Sequence, residues 1–197
     1  MARESHSLEV HQDQILVIML KTPLFFLFVL SISIFANCAS DDGDSPENES
    51  TGKASGTIQL SGEETSEFGN SLTVANIAVA QVGLTGTDKS VMLLSDNIRV
   101  ENNELVYTND QNGFVIVAAD FSTGGSPDIE KTISMTIVKN DEEFRHACSS
   151  PYQGFFTACG DGYSVDFNAK KVVFNGTTVI NTDSDVVLTM DGVVTWE

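Results

Sequence analysis

Basic side chains are scarce in this chain: 10 Lys+Arg stand against 28 Asp+Glu, a formal charge of -18 at pH 7. So acidic a protein repels phosphate backbones and anionic surfaces, which excludes a nucleic-acid binder held by charge. Long apolar runs are nearly absent too. The one present, Leu24 to Phe35, is too short to span a bilayer, which argues against a multi-pass helical membrane protein. The familiar catalytic signatures are missing: there is no Gly-x-Ser-x-Gly elbow, no His-Glu-x-x-His pair and no glycine-rich phosphate loop with its lysine. Against these absences stands a hydrophobic content of 41%, too high for a wholly disordered chain.

The apolar run follows Lys21 and has the length of a signal-peptide core. A start at Met19 would give it the compact positive head such signals carry, so residues 1–18 read as an upstream extension in which His6 and His11 have no functional role. The run ends in Ala36-Asn37-Cys38, followed by Ala39-Ser40-Asp41-Asp42-Gly43-Asp44. This segment resembles the lipobox of bacterial lipoproteins, with Phe35 and Asn37 where Leu and a small residue are commoner. The Ser and Asp residues after the cysteine are similar to the export pattern of surface-directed lipoproteins in the Bacteroidetes group. The resemblance implies that Cys38 becomes the first mature residue, is lipidated on its thiol and acylated on its amino group, and holds the protein at the cell outer membrane, facing periplasm or surface. Two or three acyl chains suffice, each buried methylene contributing about 0.8 kcal/mol.

Residues 38–54 contain no large apolar side chain and cannot offset the entropy of ordering, so they read as a flexible lipidated linker. From residue 55 to 197 the dominant period is two. Ile133, Met135 and Ile137 alternate with Thr132, Ser134 and Thr136, as in a strand with one face on a core. Asp191-Gly192, between two apolar segments, reads as a type I′ hairpin turn, and Asn175-Gly176 and Asn102-Asn103 as further reversals. Asp141 to Ala147 reads as one or two helical turns. Many short strands without covering helices must bury their apolar faces against one another, which predicts an all-β domain. An antiparallel β-sandwich is favoured over a closed β-barrel because the segments are uneven in length. The stretch from Tyr163 to Trp196 looks like the closing strands of small uncharacterised lipoproteins of the same bacterial group.

With Cys38 assigned to lipidation, Cys148 and Cys159 form an even pair in an exported domain and are expected to make a disulfide, the alternative being two separate buried thiols. Tyr152, Phe155 and Phe156 lie between them, either as a recognition surface for a peptide, glycan or envelope protein, or as anchors of the loop. His146 could join the two cysteines as a metal ligand or a catalytic base, but lacks a fourth ligand and an orienting group, and reads as a solvated loop histidine. Asp183, Asp185 and Asp191, with Asn181, could hold calcium; the plainer account is solvated loop charge. No cofactor is expected. The function inferred is non-enzymatic binding or structural support at the cell envelope, with an extracellular carbohydrate or peptide hydrolase and a small lipophilic-ligand carrier as the alternatives.

Overall fold

The computed structural model describes residues 51–122, 129–151 and 156–197. Cys38, Tyr152 and Phe155 lie outside these residues. The elements in chain order are β1 (Gly52–Ser61), α1 (Thr65–Phe68), β2 (Ser71–Val79), α2 (Val82–Thr85), β3 (Ser90–Leu94), β4 (Ile98–Glu101), β5 (Glu104–Tyr107), β6 (Asn112–Asp120), β7 (Lys131–Lys139), β8 (Glu142–Ser150), β9 (Ser164–Asp166), β10 (Lys171–Asn181) and β11 (Val187–Trp196). The first strand thus begins at Gly52, inside the segment the composition assigns to the linker.

The strands run in the order β11-β1-β2-β3-β6-β7-β8-β10, and a further pairing of β10 with β11 closes them into an eight-stranded antiparallel barrel. The all-β reading holds, and the architecture is the barrel rather than the favoured sandwich. The short β9 pairs with the first residues of β10, while β8 pairs with the last.

The unevenness that favoured the sandwich has a specific origin. Asp191-Gly192 and Asn175-Gly176 are not turns. They lie inside the long strands β11 and β10, at a place where the register passes from Phe174 opposite Gly192 to Thr177 opposite Met190, leaving two residues against one. This is a β-bulge with Gly176 at φ 61°, the left-handed conformation glycine adopts without a Cβ penalty. The Gly176 N–H donates to Asp191 Oδ1 at 2.7 Å. Gly192 is needed for another reason: a Cβ there would stand 2.4 Å from the Thr57 carbonyl oxygen on β1. The true type I′ turns are Asn102-Asn103 (φ 52° and 60°), between β4 and β5, and Asn140-Asp141 (φ 52° and 68°), between β7 and β8. The second corrects the helical reading of Asp141 to Ala147: Asp141 is in this turn and Glu142 to Ala147 belong to strand β8.

Alternate residues fill the barrel. Ile58, Leu93, Ile116, Met135, Phe174 and Met190 are all nearly or fully buried within one apolar cluster, as expected when eight strands enclose just enough room for side chains. Strand β3 is buried on both faces: Val91 and Leu93 point inward, whereas Met92 and Leu94 join a second cluster with Ala78, Ile98 and Val100. That second core exists because the β4–β5 hairpin folds back over the outside of the barrel. A bulge in β1, where Ala54 and Ser55 stand against Ala75 alone, accompanies a change of phase in β2, so that Leu72 and Val74 and then Ile77 enter the interior. Asn76 falls on the outer face, where its amide donates to the carbonyls of Ser95 (3.1 Å) and Ile98 (2.8 Å).

Candidate functional site

The hairpin covers β2 and β3 but stops short of β7, and the uncovered strip of barrel wall is a groove of about 620 Å³. Met92, Val115 and Val117 floor it, Leu105 and Tyr107 of the hairpin form one wall, and Thr136 and Val138 of β7 form the other. Val115, Val117, Thr136 and Val138 point outward from the barrel, because Ile116, Met135 and Ile137, their neighbours along the same strands, point in. The volume lies within the range of about 300–1,000 Å³ typical of small-molecule sites.

Three carboxylates line the groove, Asp110, Asp141 and Glu143, and no lysine or arginine does. They gather at one end. The Asp141 N–H donates to the Gln111 carbonyl at 3.1 Å, tying the 108–111 loop to the β7–β8 turn, and Glu143 stands opposite Val138 on the adjoining strand. Glu143 is paired with Arg145 along β8. Among the described residues neither Asp110 nor Asp141 has an ion-pair partner. Partial burial, reinforced by the Glu143 charge, raises the Tyr107 hydroxyl above its ordinary pKa, so Tyr107 stays a neutral donor on the same rim.

A second polar cluster closes one end of the barrel. His146 is 1% exposed and not a solvated loop residue. It sits on β8 opposite Met135, its ring edge-on to Phe68 of α1. Its Nε2 lies 2.8 Å from Glu64 Oε2, while Glu64 Oε1 accepts from Asn181 Nδ2 and Ser184 Oγ, each at 2.8 Å. Burial alone would push the Glu64 carboxyl up. The hydrogen bonds from Ser184, His146 and Asn181, with the field of the His146 ring, outweigh it and hold the carboxyl below its usual range. Glu64 carries no sequence signal, because its partners are 82 to 120 residues distant. The carboxylate lies between hydroxyl and imidazole, whereas nucleophilic catalysis needs the imidazole in the middle. The cluster is therefore a clamp and not a triad.

Cys148 and Cys159 form the expected disulfide, so neither serves as a thiolate ligand or nucleophile beside His146. Phe156 is 38% exposed. Asp183 and Asp185 lie in the β10–β11 turn, while Asp191 sits within β11 and accepts the Gly176 N–H. Asn181 directs its side chain to Glu64 and to the Asp183 and Ser184 amides. Among the described residues no three His, Cys, Asp or Glu side chains are placed so that they could hold a metal ion together, and Asp183, Asp185 and Asp191 are not brought into such a group. Comparison of the chain with family models, with curated proteins and with solved structures gives no match, and the reading of the site rests on its geometry.

Proposed function

We propose that this protein is an exported lipoprotein, held to the outer membrane by acyl chains on Cys38, whose barrel domain is a non-enzymatic binding module with the outer-wall groove as its site. The groove carries the binding half of this reading. An apolar floor of Met92, Val115 and Val117 lies open beside a hairpin that could have covered it, and an apolar concavity with a few convergent polar groups is the usual form of a ligand site. The anchoring half is supported by the uncharged run from Leu24 to Phe35 and the Cys38-Ala39-Ser40-Asp41-Asp42 sequence after it.

The geometry favours binding over the two alternatives. A glycoside hydrolase needs two free carboxylates facing each other across the scissile bond, whereas Glu143 is paired with Arg145 and Asp141 accepts from the Gln111 amide at 3.4 Å. A lumenal carrier needs an open interior, and the interior positions are taken up by Tyr163, Phe174, Met135 and their neighbours.

Two measurements test the proposal. Intact-mass analysis of membrane-extracted protein should find acyl chains on Cys38, and Cys38→Ala should release the chain from the membrane; an unlipidated mature protein overturns the anchor. Phenylbutanol, a neutral apolar probe, should bind the full chain in a neutral detergent, and Thr136→Trp, which fills the groove from its β7 wall, should remove that binding. Binding unaffected by Thr136→Trp overturns the groove as the site.

A further inference from the structure

The groove is polarised along its length. The register sets Gly113 opposite Val138, Val115 opposite Thr136, and Val117 opposite Ser134, so the floor runs with the strands. From Val138 to Ser134 this is about 14 Å at about 3.4 Å per residue. At the Val138 end stand Tyr107, Asp110, Asp141 and Glu143; toward Ser134 the lining is Leu84, Met92, Leu105 and Val117. One end is thus acidic and aromatic and the other is aliphatic, with the Ser134 and Thr136 hydroxyls along one side.

Charge complementarity identifies what fits. An anion would meet two carboxylates that have no ion-pair partner among the described residues, in a chain already carrying -18. A cation would be drawn to that end by the local carboxylates and by the field of the whole molecule, and the Tyr107 ring offers a face of the kind that attracts ammonium groups. A ligand that was only charged would leave the apolar floor wet. We infer that the groove binds a small organic cation with an apolar body, its ammonium or guanidinium head between Asp110 and Asp141 and its body lying along Val115, Val117 and Met92. The groove length sets a small molecule rather than a folded partner as the occupant. This inference rests on the groove being the binding site.

The test is isothermal titration of the full chain in neutral detergent with three probes of one shape: phenylbutylammonium, phenylbutanol and phenylbutyrate. The ammonium should bind about fivefold tighter than the alcohol, the scale of an exposed ion pair, with the carboxylate weakest. The order should flatten as salt is raised, because the carboxylates are solvent-facing. The double variant Asp110→Asn, Asp141→Asn, at solvent-facing loop and turn positions, should bind ammonium and alcohol alike while keeping its unfolding midpoint. Equal affinities in the unaltered chain, all lost in Thr136→Trp, overturn the cation inference and leave the groove standing. A preference for the ammonium that survives the double variant also overturns it. Absence of binding by all three probes overturns the groove reading itself.

Discussion

Glu64 accepts hydrogen bonds from three side chains that the chain brings together from β8, from the end of β10 and from the turn after it. Its carboxylate is held below the ordinary range in the folded state, so the folded protein binds a proton there less readily than the unfolded chain. The resulting stability is fully present above the unfolded value, near pH 4.5, and is lost as the pH falls through the depressed folded value. Glu64→Gln should therefore lower stability at neutral pH by about 1–3 kcal/mol, the scale of hydrogen bonds to a charged group. It should also flatten the acid limb of the stability profile, as read by urea unfolding at a series of pH values; an unchanged acid limb would show that the clamp is not the group titrating. The glycines at the barrel seam make a second residue-scale contrast. An added Cβ at Gly192 meets the Thr57 carbonyl at 2.4 Å, whereas at Gly176 it meets nothing within 4 Å. Gly192→Ala should cost about 2–3 kcal/mol through forced strand separation, and Gly176→Ala only about 1 kcal/mol from its left-handed backbone. Unfolding midpoints of the two variants decide the order, and equal or reversed losses would contradict the close-approach argument.

Among the elements, the β4–β5 hairpin is the one whose position shapes the groove, and its hold on the barrel is narrow. Asn76 ties its base through Ser95 and Ile98, and Thr51 exchanges hydrogen bonds with Val100, its hydroxyl donating to the carbonyl at 2.9 Å and accepting the N–H at 2.5 Å. Removing the first tie with Asn76→Ala should cost about 1–3 kcal/mol, since buried carbonyls lose their donor. Hydrogen exchange should then quicken across 97–108 well before it does in β6 and β7; uniform quickening throughout would mean that the hairpin is part of the barrel's own cooperative unit. Much of this level was legible in the sequence. Ile133, Met135 and Ile137 announce β7 by alternation, and Asn102-Asn103 is a reversal in both readings. Strand β8 was hidden because the residue it buries between Phe144 and Cys148 is His146, a polar side chain whose Nε2 is paired with distant Glu64, so the period of two is broken by chemistry that local reading does not see. The glycine pairs at 175–176 and 191–192 misled for a related cause. Positive φ and close backbone approach serve a bulge as well as a turn, and the two differ only in what lies across the sheet. The groove was illegible for its own reason: outward residues of β3, β6 and β7 read as ordinary exposed faces until the hairpin is set beside them.

Taken whole, the molecule carries far more negative charge than its few ion pairs neutralise. Among the described residues these are Arg99 with Glu101, Arg145 with Glu143, and the buried His146 with Glu64. Self-repulsion of a net charge of -18 opposes compactness and is screened by salt. The urea midpoint at neutral pH should consequently rise between low salt and about 0.5 M sodium chloride, where the screening length falls to only a few ångströms; a fall would show that attractive pairs dominate the surface. Barrel closure also has a consequence in time. The last strand, Val187–Trp196, pairs with β1 on one side and β10 on the other, placing Ala54 opposite Trp196. A chain that has reached only Asn181 carries two strand borders, on β1 and β10, whose partner is β11. Such borders invite pairing with other chains until the ten-residue β11 joins them. Loss of that short segment alone would turn a self-contained ring into an open ribbon prone to assembling with its own kind.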